Sequence, residues 1–305
     1  MKFSPNPSFI SLNCNQGAVR KVLYNAEGEY CLTCGSNKTI KLWNPKKKLL
    51  LQTYSGHGAE VMDADCSCDS SQIVSGSQDK TVIIWDVSTG APVRRYRAHI
   101  GTVNCVCFNE DSSVFISGSL DGTVKIYDAK GHSREPIQIL DEAKDSISMV
   151  AVNDHEIASV SLDNHVRRYD IRKGVMEADC LYCPLTYLKF TNDDQCILVS
   201  CQNSSIKLLD KSSGSILAEF KGHINKKYRI DNGLLCNDSY VVSGSEDGNI
   251  YIWSLLEGKV EHRLKHSHNV VHTLCIHPSN LELLSAADNT LYLWNLEGEG
   301  EQFEE

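Results

Sequence analysis

The sequence predicts an all-β fold, a seven-bladed β-propeller, on three observations. A turn, an alternating strand and an aromatic–acid pair or its relic recur along the chain. The anchors Trp43-Asn44, Trp85-Asp86, Tyr127-Asp128, Tyr169-Asp170, Leu209-Asp210, Trp253-Ser254 and Trp294-Asn295 are separated by 42, 42, 42, 40, 44 and 41 residues. That is the period of four-stranded propeller blades. Seven such units nearly fill the 305 residues and leave little chain for a catalytic insert.

Blade two shows how one unit is built. The pattern predicts strand a over 61–66 after the Gly56-His57 turn, strand b over 72–75, a tight turn over 77–80, strand c over 81–86 and strand d over 91–97. Each segment alternates and is bounded by Gly, Ser, Asp or Asn. Four polar positions recur at fixed offsets: His57, Ser75, Asp79 and Trp85 in blade two, His99, Ser117, Asp121 and Tyr127 in blade three, and His223, Ser243, Asp247 and Trp253 in blade six. An imidazole, a hydroxyl, a carboxylate and an indole N–H can form a hydrogen-bond chain tethering the d–a loop to the b–c turn.

The other blades carry less of this set. Blade one has Thr33, Asn37 and Trp43 without a His. Blade four has 141–144 in place of the Gly-His turn. Blade five has 180–184 there and Leu209 for Trp. Blade seven keeps His266, Asp288 and Trp294 with a b–c turn one residue shorter. Blades four and five are therefore expected to rely on packing alone or to exchange with solvent first.

The chain has no candidate fourth strand after Trp294, but 8–14 resembles the d strands at 50–54 and 216–220. This predicts that the N-terminal strand completes the last blade and leaves no open sheet edge. The expected organisation is a disordered N-terminus over 1–7, one propeller over 8–296 and an acidic disordered tail over 297–305.

A formal charge of −9 and a pI near 5.7 argue against a sequence-independent grip on phosphate backbones. The short basic runs (46–48, 94–95, 167–168, 226–227) read as solvated strand ends or loops. No signal peptide or membrane-length apolar run is present in the sequence. Thirteen cysteines include Cys31/Cys34 and Cys180/Cys183 at C-x-x-C spacing, and Cys66/Cys68 and Cys105/Cys107 placed in strand a of blades two and three. Alternate strand residues share a face, so these read as small buried hydrophobes, and no second pair stands in register to complete a zinc site. The odd count without a signal implies a reducing compartment. No cofactor or metal is expected.

A Ser/His/Asp set can also be a nucleophilic triad, but one repeated in several blades without a nucleophile elbow is structural. No paired carboxylates, His–Cys pair or Gly-x-Gly-x-x-Gly loop stand at the channel mouth, so an enzyme is not expected.

The motifs YSGHGAEV, SGSQDKTVIIWD, SGSLDGTVKIYD and SGSEDGNIYIW carry a resemblance, over about 8–295, to WD-repeat propellers. With GAVRKV, YCLTCGSNKTIKLWNP, VRRYDIR and LLDKSSG, the chain more closely resembles the mitogen-activated protein kinase organisers, small seven-bladed WD-repeat scaffolds. The resemblance implies a non-enzymatic adaptor for extracellular-signal-regulated kinase cascade components. It also implies association with the hypoxia-factor prolyl hydroxylase and the spliceosome, and residence in cytoplasm and nucleus. No direct nucleic-acid or membrane contact is expected, and the propeller is expected to be monomeric. The box Tyr169-Asp170-Ile171-Arg172 resembles the W/Y-D-x-R motif by which some WD-repeat proteins join a cullin ubiquitin ligase, which gives an alternative role as substrate receptor.

Partner binding is expected at the mouth of the channel. The ring two residues into each strand a reads Arg20, Met62, Asn104, Ser148, Thr186, Arg229 and Val271, preceded by Glu60, Thr102, Lys227 and Asn269. The b–c turns add Gln78, Leu120, Leu162 and Glu246. Chemistry that varies on a repeated frame suits a multi-partner surface. Met62 and Leu162 are candidate anchors, and Arg20 and Arg229 candidate carboxylate grips.

Overall fold

The computed structural model describes residues 3–97, 99–153, 155–279 and 281–297. Seven four-stranded antiparallel sheets follow one another along the chain. Blade two has strands at Val61–Cys66, Gln72–Ser77, Val82–Asp86 and Pro92–Tyr96. Cys68 therefore lies beyond its inner strand. The described residues contain no helix long and apolar enough to cross a membrane.

Blade seven takes Val271–Ile276, Glu282–Ala287 and Thr290–Glu297 from the C-terminal end and Phe3–Asn13 from the N-terminal end. The clasp is formed as the sequence indicates. The strand begins at Phe3, which corrects the expected disorder over 3–7. Phe3 pairs with Glu297 and regular pairing resumes at Ser8 with Asn295. Glu297 belongs to the fold, while residues 1–2 and the rest of the expected tail, 298–305, lie outside the described residues.

Burial follows the layering. Middle strands are enclosed on both faces, as at Gln72–Ser77 and Val82–Asp86, whereas outer strands bury one residue each side of exposed ones. That one residue is often an aromatic packed on the strand-c aromatic of the next blade. Tyr54 meets Trp85 at 6.0 Å, Tyr96 meets Tyr127 at 5.2 Å and Phe220 meets Trp253 at 6.4 Å. Aromatic contacts of this kind add to simple area burial and lock neighbouring blades.

The polar tether forms as expected in blade two. The Trp85 indole N–H donates to Ser75 Oγ at 2.8 Å, His57 Nε2 lies 2.8 Å from the same hydroxyl, and His57 Nδ1 lies 3.1 Å from Asp79. Asp79 also accepts the Gly58 N–H at 2.6 Å. Blade three repeats the His99, Ser117 and Asp121 links at 2.8 and 3.1 Å, with Tyr127 stacked on Phe115 at 4.9 Å in place of an indole bond. Burial works against both carboxylates, but hydrogen bonds from the His, the neighbouring Thr and the loop N–H hold Asp79 and Asp121 below the usual carboxylate range.

Blade six does not form the tether. Ser75 follows His57 by 18 residues, but Ser243 follows His223 by 20. The two extra residues bulge the chain, and strand a shrinks to Asn232–Leu235. Neither nitrogen of His223 has a hydrogen-bond partner among the described residues. Trp253 donates to Lys221 O instead, and Asp247 accepts from Tyr251 OH and Arg263. Glu246 takes over the loop, accepting the N–H groups of Lys226 and Lys227 at 2.7 and 2.6 Å.

Other blades use substitutes. In blade one Gln16 does the histidine's work: Thr33 Oγ1 donates to its Oε1 at 2.5 Å while Trp43 donates to Thr33 at 2.8 Å. In blade four Arg167 donates to Asp163 at 2.6 Å and to Ser161 at 2.9 Å, and Asp163 accepts the Lys144 N–H at 2.9 Å. Blade four therefore has a tether of its own, which corrects the expectation of packing alone.

Burial lowers His99, His223 and His266 to about 4 from an ordinary value of 6.5. Unfolded histidines bind protons near 6.5, so between about pH 6.5 and 4 the unfolded state holds more protons. This contribution is complete above 6.5 and is lost as the pH falls toward 4. The melting temperature is expected to drop steadily over that window. His223→Phe, which breaks no hydrogen bond, should flatten part of the slope and leave the pH 7 melt unchanged. A melting temperature independent of pH from 7 to 4.5 would contradict this.

Candidate partner-binding face

The d–a loops and b–c turns share one face of the disc, and the inner strands open there. Each inner strand except that of blade six carries a register shift at its second residue, as between Val61 and Asp63. The residue before the shift is buried and apolar: Val19, Val61, Val103, Ile147, Leu185 and Val271. The shifted residue is an extra one that a bulge re-aims, and it forms the rim: Arg20, Met62, Asn104, Ser148, Thr186 and His272.

The shifted position coincides with the sequence-derived ring in blades one to five, falls one residue later in blade seven and has no counterpart in blade six. Val271 pairs with Ala287 as Val61 pairs with Ser77, and it is fully buried. Its neighbour His272 holds the rim position, edge-on to Tyr228 at 5.1 Å. In blade six the bulged chain buries Ile230 and turns Arg229 inward.

Arg229 reaches across the channel. It donates to Asn104 O at 2.5 Å and to Asp63 at 3.2 Å, and stacks over the Tyr187 ring at 5.6 Å. Beneath it Lys21 Nζ donates to Asp231 at 3.0 Å and to Tyr187 OH at 3.3 Å, while Thr273 donates to the same Asp231 oxygen at 2.7 Å. Burial alone would lower Lys21, but Asp231, Tyr187 and Asp63 hold it well above its ordinary value. Arg229 therefore ties the ring together across its centre and is not free to grip a partner.

The remaining candidates divide by exposure. Arg20 and Glu60 are half-buried and paired at 3.0 Å. Asn104 donates to Ser146 Oγ and Ile147 O, Thr186 to Ser200 O, and Ser148 and Thr186 are buried. Thr102 O accepts the Leu120 N–H, Asn269 donates to Asp288, and Glu246 is occupied by its loop. Gln78, Leu120 and Lys227 stay exposed, and Met62 and Leu162 are half-buried.

The most exposed apolar groups on this face were missed by the ring. Ile100 is 82% exposed and Tyr182 89%, and Ile100 stands beside Leu120 at 56%. Leu120 lies against Gly101, and the Ile100 N–H donates to Asp121 at 2.9 Å, so the tether of blade three positions the backbone that carries both apolar side chains. The available signal was an apolar residue directly after the Gly-His position, where blade two has Gly58.

Tyr169 is buried with its OH donating to Glu142 of the d–a loop, and at the other end of that strand Asp170 accepts the N–H groups of Arg172 and Lys173. The Tyr169-Asp170-Ile171-Arg172 box thus builds its own turn. The lower channel holds a cavity of about 290 Å³ with Asp65, whose carboxyl burial pushes up to about 6. Both its oxygens are taken, by the N–H groups of Cys66 and Phe108. All thirteen cysteines are free thiols. Among the described residues no cluster of three or more His, Cys, Asp or Glu could hold a metal ion.

The WD domain, G-beta repeat family matches residues 6–44, 48–86, 90–128, 214–254 and 258–295. The chain belongs to the WD40-repeat family. The matched segments each begin on a d strand or within two residues of its start and end on the next strand c, which is the offset the clasp requires. Residues 129–213, outside the matches, cover most of blades four and five, where Gly-His and Trp are missing. The rat WD repeat domain-containing protein 83 is 55% identical over 293 residues, covering 96% of this chain and 93% of the relative. The human protein of that name is 54% identical over the same shares. A Dictyostelium discoideum homolog is 33% identical over 94% of this chain and 99% of its own length. These relatives support a WD-repeat scaffold or adaptor.

Proposed function

We propose that this chain is a non-enzymatic scaffold for the extracellular-signal-regulated kinase cascade. We also propose that it meets the hypoxia-factor prolyl hydroxylase and splicing complexes, and that it works in cytoplasm and nucleus. The observation that carries the reading is identity above half, from end to end, with WD repeat domain-containing protein 83. The face supports it. Exposed apolar side chains on a hydrogen-bonded loop at a rim can anchor a partner in a desolvated contact. The channel's Asp63, Asp231, Lys21 and Arg229 are bonded to one another and to neighbouring residues of the ring, which suits a structural role for them.

The test is affinity purification with mass spectrometry from separated cytoplasm and nuclei, using the parent chain and Ile100→Ser/Leu120→Ser. Kinase-cascade, hydroxylase or splicing proteins are expected with the parent and depleted at least several-fold with the variant, at an unchanged melting temperature. Recovery of none of these proteins would sink the assignment. Equal recovery by the variant would move the contact to another surface.

A further inference from the structure

Blade three departs from its neighbours at the outer edge. Its strand c ends at Asp128 and its strand d is only Gln138–Leu140, so the connection runs from 129 to 137 where blade two uses 87 to 91. That longer loop is held in place. Asp128 Oδ1 accepts the N–H groups of Lys130 and Gly131 at 2.8 and 2.7 Å, and Arg94 of blade two donates to Gly131 O. A loop of one blade is thereby pinned to the outer strand of the other.

Between them lies a groove of about 540 Å³. Blade two contributes Arg95 and Arg97, and blade three contributes Lys125 and Arg134. Glu135 is the one carboxylate among the lining residues. Arg95, Arg97 and Arg134 are exposed. Arg95 donates to Gly56 O, whereas neither Arg97 nor Arg134 has a hydrogen-bond or ion-pair partner among the described residues. The related groove between blades four and five is neutralised internally: Arg168 pairs with Glu177 at 2.7 Å, Lys173 with Asp170 at 3.0 Å, and Lys211 with Glu156. Arg97 and Arg134 are thus two exposed, unpaired guanidinium groups beside one groove on a chain of net charge −9, and an anionic ligand complements them.

We propose that this groove binds a phosphorylated serine or threonine in an acidic segment of a partner protein. Guanidinium groups match the oxygens of a phosphate dianion in forked hydrogen bonds, and clustered arginines are a recurrent means of reading phosphorylated motifs. The loop tie through Arg94 orders the cations before the ligand arrives. RNA is disfavoured because a stacking platform is missing: Tyr127, the aromatic in the lining, is buried. The site is separate from the apolar rim and does not depend on the scaffold assignment above.

The test is fluorescence anisotropy of the full chain with a labelled acidic peptide carrying one phosphothreonine. Its unphosphorylated twin and a single-stranded RNA of equal charge serve as comparisons. The phosphopeptide is expected to bind in a salt-sensitive way. Removing the phosphate, or introducing Arg97→Glu/Arg134→Glu, should weaken binding about tenfold or more. That variant should melt like the parent because both side chains are exposed and unpaired, and Ile100→Ser/Leu120→Ser should bind the phosphopeptide normally. No binding of the phosphopeptide, equal binding of the unphosphorylated peptide, full binding by Arg97→Glu/Arg134→Glu, or tighter binding of the RNA would each overturn the proposal.

Discussion

A chain lacking residues 1–15 is expected to lose its cooperative melt, while one lacking 298–305 should melt like the parent. The N-terminal strand pairs residue by residue from Ser8 with Asn295 to Asn13 with Thr290. Phe9 rests on Tyr292 and Trp294 at 5.1 Å, and Leu12 and Cys14 are buried with Val19, Trp43 and Leu291. Cys14 N–H donates to Asn289 O at 2.9 Å, which joins the two ends of the chain directly. Truncation would strip the hydrogen bonds from one side of Thr290–Glu297 and expose a hydrophobic sheet edge, a template for aggregation. It would also uncover apolar side chains worth roughly 1.5–3 kcal/mol each on full burial. Against a total stability of about 5–15 kcal/mol, several such losses are decisive. Adding a peptide of residues 1–15 should restore the melt by strand addition. Equal melting temperatures for the two truncations would show that the clasp contributes little.

The parts of this structure legible in the sequence are those that repeat. Trp85, Ser75, His57 and Asp79 could be placed because their spacing recurs, and the missing d strand pointed to the N-terminal segment. What escaped was local deviation with long-range consequence. The two extra residues after His223 are countable, yet their effect depends on where the bulge places them: Ile230 is buried and Arg229 enters the channel. Arg229 then meets Asn104, 125 positions away, and no periodicity reports such a contact. Gln16 in place of a His was hidden because an amide and an imidazole look unlike in sequence while both bond the Thr33 or Ser75 hydroxyl. The basic pair 167–168 predicts solvated charges, but the alternate position of Arg167 on strand c points it at Asp163.

Asp231→Ala should be the most damaging single substitution in the channel, lowering stability by about 3–5 kcal/mol. Asp231 accepts from Lys21 and Thr273 and is almost fully enclosed, as is Lys21. Removing the carboxylate leaves an ammonium in a buried site with Arg229 nearby, and an uncompensated buried charge is far more costly than a lost surface pair. Because Lys21 is held above its ordinary value of 10.5, it stays charged as the pH is raised from 6 to 9, and that change should not mimic the substitution. Arg229→Glu should be damaging for the related reason that it sets a third carboxylate beside Asp63 and Asp231. By contrast, Lys21→Met/Asp231→Leu removes both charges at similar volume and should recover much of the loss, since apolar replacements of whole buried pairs are often neutral. Chemical denaturation of the two single variants and the double isolates the coupling between Lys21 and Asp231. A small loss in Asp231→Ala would mean that water from the lower cavity reaches Lys21, and the centre of the disc would then be a solvated channel rather than a charged crosslink between blades.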